Sequence, residues 1–458
     1  MRRLLKCAAL MLMALMVMSG SVWAWNYTEH VTTAPNNKGD VLIFPYFLAL
    51  DGGWETKLTV INTDEVNSVV AKVVIRSFKN SEELLDFFIY LTPADVWTGR
   101  MMVDTVTKRV VIDSTDDSVL GSTSGIAAAD ICWAGASSNC TAALATKVCV
   151  LHQVMFPLNC SDDADYLGYS EVITAASGNA GARPLCKTTL WTAYENFKAG
   201  STAVLNFPSV NHPNVLAGYM QVQNAVAGLS ANLRATNLKD YETNVILDTA
   251  AETRLGVGAR NNLLEVEAAL SKDDIAMPYV NDKDLALHIF TFPTKLTVTT
   301  GGCALGQKTA DGPYFGQYSA DPDFYCVPFR LRIFDLLENS PTGGSPFSGG
   351  DTTVRRFCDE VNLIGASAFP YKEGWAHYWF TNAIVAGYAA VDAGSTQTHP
   401  LSYVGTPVLP TFLYVGATGL TANYGAWTDD FVYCSLTAAT TLIDYQYTDS
   451  ALGACVGP

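Results

Sequence analysis

Alternation with a period of two runs through residues 41–112 and restricts this chain to sheets. Thr56, Leu58, Val60 and Asn62 alternate with Lys57, Thr59 and Ile61, and Val69, Ala71, Val73 and Ile75 alternate with Val70, Lys72, Val74 and Arg76. Successive side chains of a strand point to opposite faces, so each run can turn one face to a core. Turn residues separate the runs at Asp51-Gly52-Gly53, Asn62-Thr63-Asp64 and Lys79-Asn80-Ser81, and the pattern continues over residues 85–91 and 109–112. Residues 41–50 form the longest apolar run after residue 25, contain Pro45, and fall short of the roughly 20 residues needed to cross a bilayer, which predicts a buried strand. Five or more short strands at this spacing predict a mainly β fold: an antiparallel β-sandwich whose sheets bury one face on each other.

The remaining chain divides by composition. Residues 25–120 read as an N-terminal β-sandwich module, 121–284 as a cysteine-rich, mixed α/β middle segment with short helices, and 285–458 as a C-terminal β module packing with the N-terminal sheets. In the middle, residues 187–198 predict a helix with Leu190, Trp191, Tyr194 and Phe197 on one face and Gly200 as a stop. Residues 263–270 predict a second, opened by Asn262 with Glu265 three residues on, as in a capping box. Leu216, Gly218, Met220 and Val222 alternate as another strand. Strands resume over 285–299, broken by Pro293, and over 327–336; residues 340–351 read as a Gly-, Ser- and Pro-rich surface loop. No fixed-period repeat appears, which disfavours solenoids and propellers.

The first 24 residues have the form of a secretory signal peptide: Arg2, Arg3 and Lys6, then an apolar stretch, then Val22-Trp23-Ala24 as a small-x-small cleavage site. The expected mature chain starts near Trp25, is extracellular, at the cell surface or periplasmic, and has no transmembrane segment. In an oxidising compartment ten cysteines remain for a disulfide framework: Cys132, Cys140, Cys149, Cys160 and Cys186, then Cys303, Cys326, Cys358, Cys434 and Cys455. Each group is odd, so complete pairing requires at least one bridge between them; Cys132 with Cys140 and Cys303 with Cys326 would close local loops. No CxxC pair supports zinc, and no CxxCH supports attached haem.

Charge narrows the function. The 458 residues carry a net charge of −16, against a nucleic-acid partner held by phosphate neutralisation. Hydrophobic residues make up 49% and charged residues only 16%, so disorder is excluded as well.

Three stretches carry a likeness to known proteins: VLIFPYF with WETKLTVINT (41–47 and 54–63), NSEELLDFFIYLTPADVWTG (80–99) and FTFPTK (290–295). Through them the chain resembles a group of secreted and cell-surface proteins of proteobacteria. The resemblance covers the first hundred mature residues and then patches. It implies a surface or periplasmic β protein and brings no established activity, hence no site residues.

GxSxG, GxxxxGK, HExxH and helix-opening GxGxxG motifs are all missing, and the six histidines are scattered. The residues therefore assign no catalytic group and require no cofactor. Hard oxygen donors cluster at Asp113, Asp116 and Asp117, at Asp162, Asp163 and Asp165, and at Asp273, Asp274, Asp282 and Asp284; calcium is the ion such loops would take outside a cell, although none completes a 12-residue calcium loop. The run from Gly374 to Phe380 puts Trp375, His377 and Trp379 on one strand face and Tyr378 with Phe380 on the other. Aromatic residues on both faces favour burial between two layers. An open face would instead offer rings to a sugar, with Glu373 to take hydroxyl hydrogen bonds. The function that follows is a non-enzymatic surface or periplasmic protein acting through interactions: a cell-envelope, adhesive or filament-forming component that self-associates or meets other envelope proteins. A carbohydrate- or ligand-binding β-sandwich module is the alternative, and a hydrolase with a nonlocal site the third reading.

Overall fold

A computed structural model describes residues 31–79, 81, 83–106, 108–116, 118–120, 133–134, 148–150, 154–155, 166–178, 187–199, 214–241, 247, 255, 262–281, 285–295, 297–299, 308–310, 314, 326–337, 355–380, 388–391, 398–401, 405–415 and 424–425. The expected signal peptide lies outside them. The fold is mainly β with antiparallel sheets and few short helices, as the alternation predicts.

The first fifteen strands are β1 (Thr32–Thr33), β2 (Val41–Leu48), β3 (Trp54–Asn62), β4 (Ser68–Ser77), β5 (Glu83–Leu91), β6 (Val96–Val103), β7 (Val110–Asp113), β8 (Val119–Leu120), β9 (Trp133–Ala134), β10 (Val148–Val150), β11 (Val154–Met155), β12 (Leu167–Gly178), β13 (Leu216–Asn224), β14 (Leu229–Arg234) and β15 (Thr236–Lys239). They form a nine-stranded sheet, β1-β15-β2-β12-β4-β5-β8-β10-β9, and a six-stranded sheet, β11-β7-β6-β3-β13-β14. Strands from residues 121–284 thus complete both sheets of the N-terminal sandwich: β12 lies between β2 and β4, and β13 pairs with β3.

Leu42, Phe44, Val73, Ile75 and Phe87 of the larger sheet meet Leu58, Val60, Trp97, Met101 and Met220 of the smaller one in a common core. The larger sheet is also covered on its other face. Helix α1 (Lys187–Lys198) and helix α2 (Asn262–Leu270) follow the predicted segments closely. Leu190, Ala193 and Tyr194 of α1 and Val266, Ala269 and Leu270 of α2 bury Val41, Ile43, Val70, Phe88 and Tyr90. Every residue of β2 and β4 is consequently buried, which a simple two-layer sandwich would not require. Glu265 is buried too, and its Oε2 accepts a hydrogen bond from the Val31 amide at 3.1 Å, tying α2 to the start of the sheet.

Pro45 sits mid-strand in β2 without an amide to donate. The register there passes from Phe44↔Ser170 to Phe47↔Gly168, so Pro45 and Tyr46 stand against Tyr169 alone. This bulge is where a sheet can accept proline. Gly168 is required beside it, because a Cβ there would lie 2.0 Å from the Arg76 carbonyl oxygen and 2.5 Å from the Phe47 ring.

The later strands are β16 (Ser271–Lys272), β17 (Asp274–Val280), β18 (Leu285–Thr291), β19 (Thr297–Thr299), β20 (Lys308–Ala310), β21 (Val327–Asp335), β22 (Arg355–Phe357), β23 (Val361–Gly365), β24 (Glu373–Phe380), β25 (Tyr388–Val391), β26 (Thr398–Leu401), β27 (Thr406–Pro407), β28 (Leu409–Val415) and β29 (Tyr424–Gly425). Two four-stranded sheets, β17-β24-β21-β22 and β23-β18-β28-β29, enclose a second core of Ile275, Met277, Phe329, Leu331 and Tyr378 against Phe290 and Phe412. On its opposite face the second of these sheets sends Ile289, Val361 and Leu413 into the N-terminal core. The amides of Glu360 and Val361 reach the Phe78 carbonyl at 2.8 and 2.9 Å, and Thr291 Oγ1 donates to the Pro45 carbonyl. One sheet therefore serves as a layer in both cores.

The bridge expected between Cys303 and Cys326 is corrected: Cys326 is bonded to Cys358. Cys326 immediately precedes β21, Cys358 immediately follows β22, and Val327 pairs with Phe357. Antiparallel register alone brings the two cysteines face to face. The other eight expected disulfide cysteines yield no described bridge, so the Cys132–Cys140 pairing and the stapling of the middle segment lie outside the described residues. No helix among the described residues is long and apolar enough to cross a membrane.

Candidate functional site: the open face of the C-terminal sheet

Strand β24 runs between β17 and β21, and its two faces meet different surroundings. Ala376, Tyr378 and Phe380 point into the second core. Trp375 and His377 are half-buried on the opposite side, and Trp379 is 42% exposed. Burial of both aromatic faces, the expectation favoured by composition, is thus corrected: one face is core and the other is open.

Register assembles the neighbours. Trp379 lies between Asp274 and Arg330, His377 between Ala276 and Arg332, and Trp375 between Pro278 and Phe334. Paired residues share a face, so these three rows make one surface. The Phe334 and Trp375 rings stack with centroids 4.3 Å apart and planes 13° from parallel. His377 follows at 6.0 Å, and Trp379 a further 6.0 Å along the strand. The Arg332 guanidinium lies 6.0 Å from the Trp379 ring centroid, near the reach of a cation–π contact. His377 Nε2 is 3.0 Å from Asp274 Oδ2, which fixes the imidazole plane within the row. Gly374 lets β24 and β21 approach closely, since a Cβ there would fall 1.9 Å from the Phe334 carbonyl oxygen. Exposed Glu373, opposite Val280, closes the Trp375 end of the same face.

The structure therefore brings Glu373, Trp375, His377 and Trp379 together on an open surface. Sequence reading missed Arg330, Arg332 and Phe334. Their signal was the strand itself: Val327, Phe329, Leu331 and Ile333 are buried while Arg330 and Arg332 are exposed.

The acidic candidates are arranged differently. Asp113 is engaged by Arg100, with Nε and Nη2 at 3.2 and 3.1 Å from its two oxygens. Asp116 Oδ1 accepts the Ser118 amide at 2.8 Å and lies 3.4 Å from Lys187 Nζ. Both carboxylates are engaged by protein donors. Asp117, Asp162, Asp163, Asp165, Asp282 and Asp284 lie outside the described residues. No group of three or more metal-ligating side chains occurs among the described residues.

A second polar cluster is sealed inside the fold. Lys72 Nζ is 2.5 Å from Asp86 Oδ2, and Arg76 Nε 3.0 Å from Glu171 Oε2, all four side chains essentially without solvent contact. Tyr169 joins them through a 2.8 Å hydrogen bond to Ser81. These pairs link β5, β4 and β12 side by side. Their enclosure suits holding strands in register rather than receiving a ligand. His288 is likewise enclosed, with Nδ1 2.6 Å from the Tyr378 hydroxyl and Nε2 2.7 Å from the Pro278 carbonyl.

Comparison with protein families, with curated proteins and with solved structures finds no match.

Proposed function

We propose that this chain is a secreted, non-enzymatic surface or periplasmic protein that works by binding, and that carbohydrate is held against the open face of β17-β24-β21-β22. The observation that carries this reading is the row Trp375, His377 and Trp379, extended by Phe334, half-buried at Trp375 and His377 and exposed at Trp379. Aromatic faces carry negative quadrupole potential and attract the polarised C–H bonds of a sugar ring. Glu373 and Asp274, at opposite ends of the row, can accept hydroxyl hydrogen bonds.

Binding is favoured over hydrolysis by the spacing of the carboxylates on this face. Glycoside cleavage needs two carboxyl groups roughly 5–9.5 Å apart, whereas Asp274, opposite Trp379, and Glu373, opposite Val280, stand six residues or roughly 20 Å apart along the strands. The test is tryptophan fluorescence of the mature protein titrated with a panel of soluble glycans. Saturable quenching or a spectral shift, lost in Trp375→Ala and Trp379→Ala, is expected. Emission unchanged by every glycan would remove the reading.

A further inference from the structure

We infer that the glycan taken by this face is anionic, a polysaccharide bearing carboxylate or sulfate groups; the inference rests on the carbohydrate reading above and narrows it. The surface is graded along its length. At one end Pro278, Trp375 and Phe334 stand in one cross-strand row, with two of their rings stacked and no cation among them. At the other, Arg330 lies directly across from Trp379 and Arg332 across from His377. Both arginines are exposed, and neither makes an ion pair among the described residues. The acid nearest to them in register, Asp274, turns its Oδ2 toward His377.

A chain of net charge −16 therefore places two arginines that lack an ion pair among the described residues beside the exposed Trp379. Guanidinium groups match planar carboxylates and sulfates through paired N–H donors. Arg330 and Arg332, alternate residues of one strand, are about 7 Å apart along it, a separation at which one anionic substituent or two successive ones can be met. A sugar against the exposed Trp379 would place an acidic substituent within reach of Arg330 and Arg332. Single-stranded nucleic acid also combines flat rings with anions, but it brings a phosphate at every residue. The face is mixed in sign, Arg330 and Arg332 with exposed Arg356 opposite Pro328 at its edge and Asp274 and Glu373 at the ends of the row, which suits a more sparsely charged polymer.

The experiment uses the mature full chain and four probes: polygalacturonate for carboxylate, dextran sulfate for sulfate, dextran as the neutral polymer and a thymidine oligonucleotide. Fluorescence titration at low and high salt reads each affinity. The expected result is saturable binding of at least one acidic glycan, weakened by salt, with dextran weaker by about tenfold to a hundredfold, the range that charge-assisted hydrogen bonds supply. The arm that binds identifies the acid group. Arg330→Gln with Arg332→Gln should lose that margin while keeping the weak affinity for dextran, whereas Trp379→Ala should lower both; unchanged circular dichroism checks that each variant is folded. Dextran binding as tightly as the acidic polymers, without salt dependence, overturns the anionic inference and leaves the carbohydrate platform standing. An oligonucleotide binding more tightly than either acidic glycan overturns both in favour of nucleic acid. Silence from all four probes removes this inference and counts against the platform.

Discussion

His288 offers the sharpest test of how the second core is built. Its side chain is fully buried, with the Phe369, Tyr378 and Phe412 ring centroids 5.3 to 5.6 Å away. The Pro278 carbonyl can only accept, so Nε2 carries the proton and Nδ1 accepts from the Tyr378 hydroxyl. In the neutral form both ring nitrogens are satisfied in this way. Burial accordingly lowers the pKa from 6.5 to about 4, partly opposed by the hydrogen bond to Pro278. Between those values the unfolded chain binds a proton that the native protein refuses. Stability is therefore complete above pH 6.5 and falls as pH drops toward 4, by about 3 kcal/mol at roughly 1.4 kcal/mol per pKa unit. Urea denaturation at pH 7, 5.5 and 4 should show this loss in the parent protein. His288→Gln, which keeps a donor for Pro278 and does not titrate, should lose about 3 kcal/mol less over the same interval, because the carboxylate contributions are common to both. Parallel stability–pH curves for the two proteins would refute the assignment of a buried neutral imidazole.

Two further outcomes follow from the same packing. Cys326→Ser removes a bridge spanning 32 residues and should lower stability by about 3–4 kcal/mol on the loop-entropy estimate, with hydrogen exchange accelerated in β21 and β22. Exchange unchanged in those strands would show that sheet packing alone holds them. Arg76→Met leaves Glu171 buried without its guanidinium and should cost about 3–5 kcal/mol, while Arg76→Met combined with Glu171→Leu should cost less than Arg76→Met alone; purely additive denaturation midpoints would contradict a coupled pair.

Periodicity made the strands legible, and its limits lie where distant partners decide. In β3 the alternation translates directly: Thr56, Leu58, Val60 and Asn62 are buried while Lys57 is exposed. Both helices were legible from local signals, an apolar stripe and a stop residue for α1 and a capping-box pair for α2. Strand β4 shows the opposite case. Lys72 and Arg76 at alternate positions look like a solvated edge, yet both are enclosed, because Asp86 and Glu171 neutralise them and helices cover that side. Neither partner can be inferred from residues near β4 alone. In β24 the pattern placed Trp375, His377 and Trp379 together but could not say which side faced water. The choice is fixed by β21, whose arginines share the register of that row and whose phenylalanine and leucine share the register of Tyr378 and Phe380.

The placement of β2 carries a consequence for how the chain must be made. VLIFPYFL emerges early from the ribosome, but its two ladder partners are β12, at residues 167–178, and β15, at 236–239. At roughly 5–20 residues per second, this sticky segment waits on the order of ten seconds before β12 exists to cap it. Pro45, tolerated in the finished sheet only because of the bulge opposite Tyr169, interrupts the donor row that a neighbouring nascent chain would copy. The same residue that looks like a flaw in the ladder guards the strand during that delay.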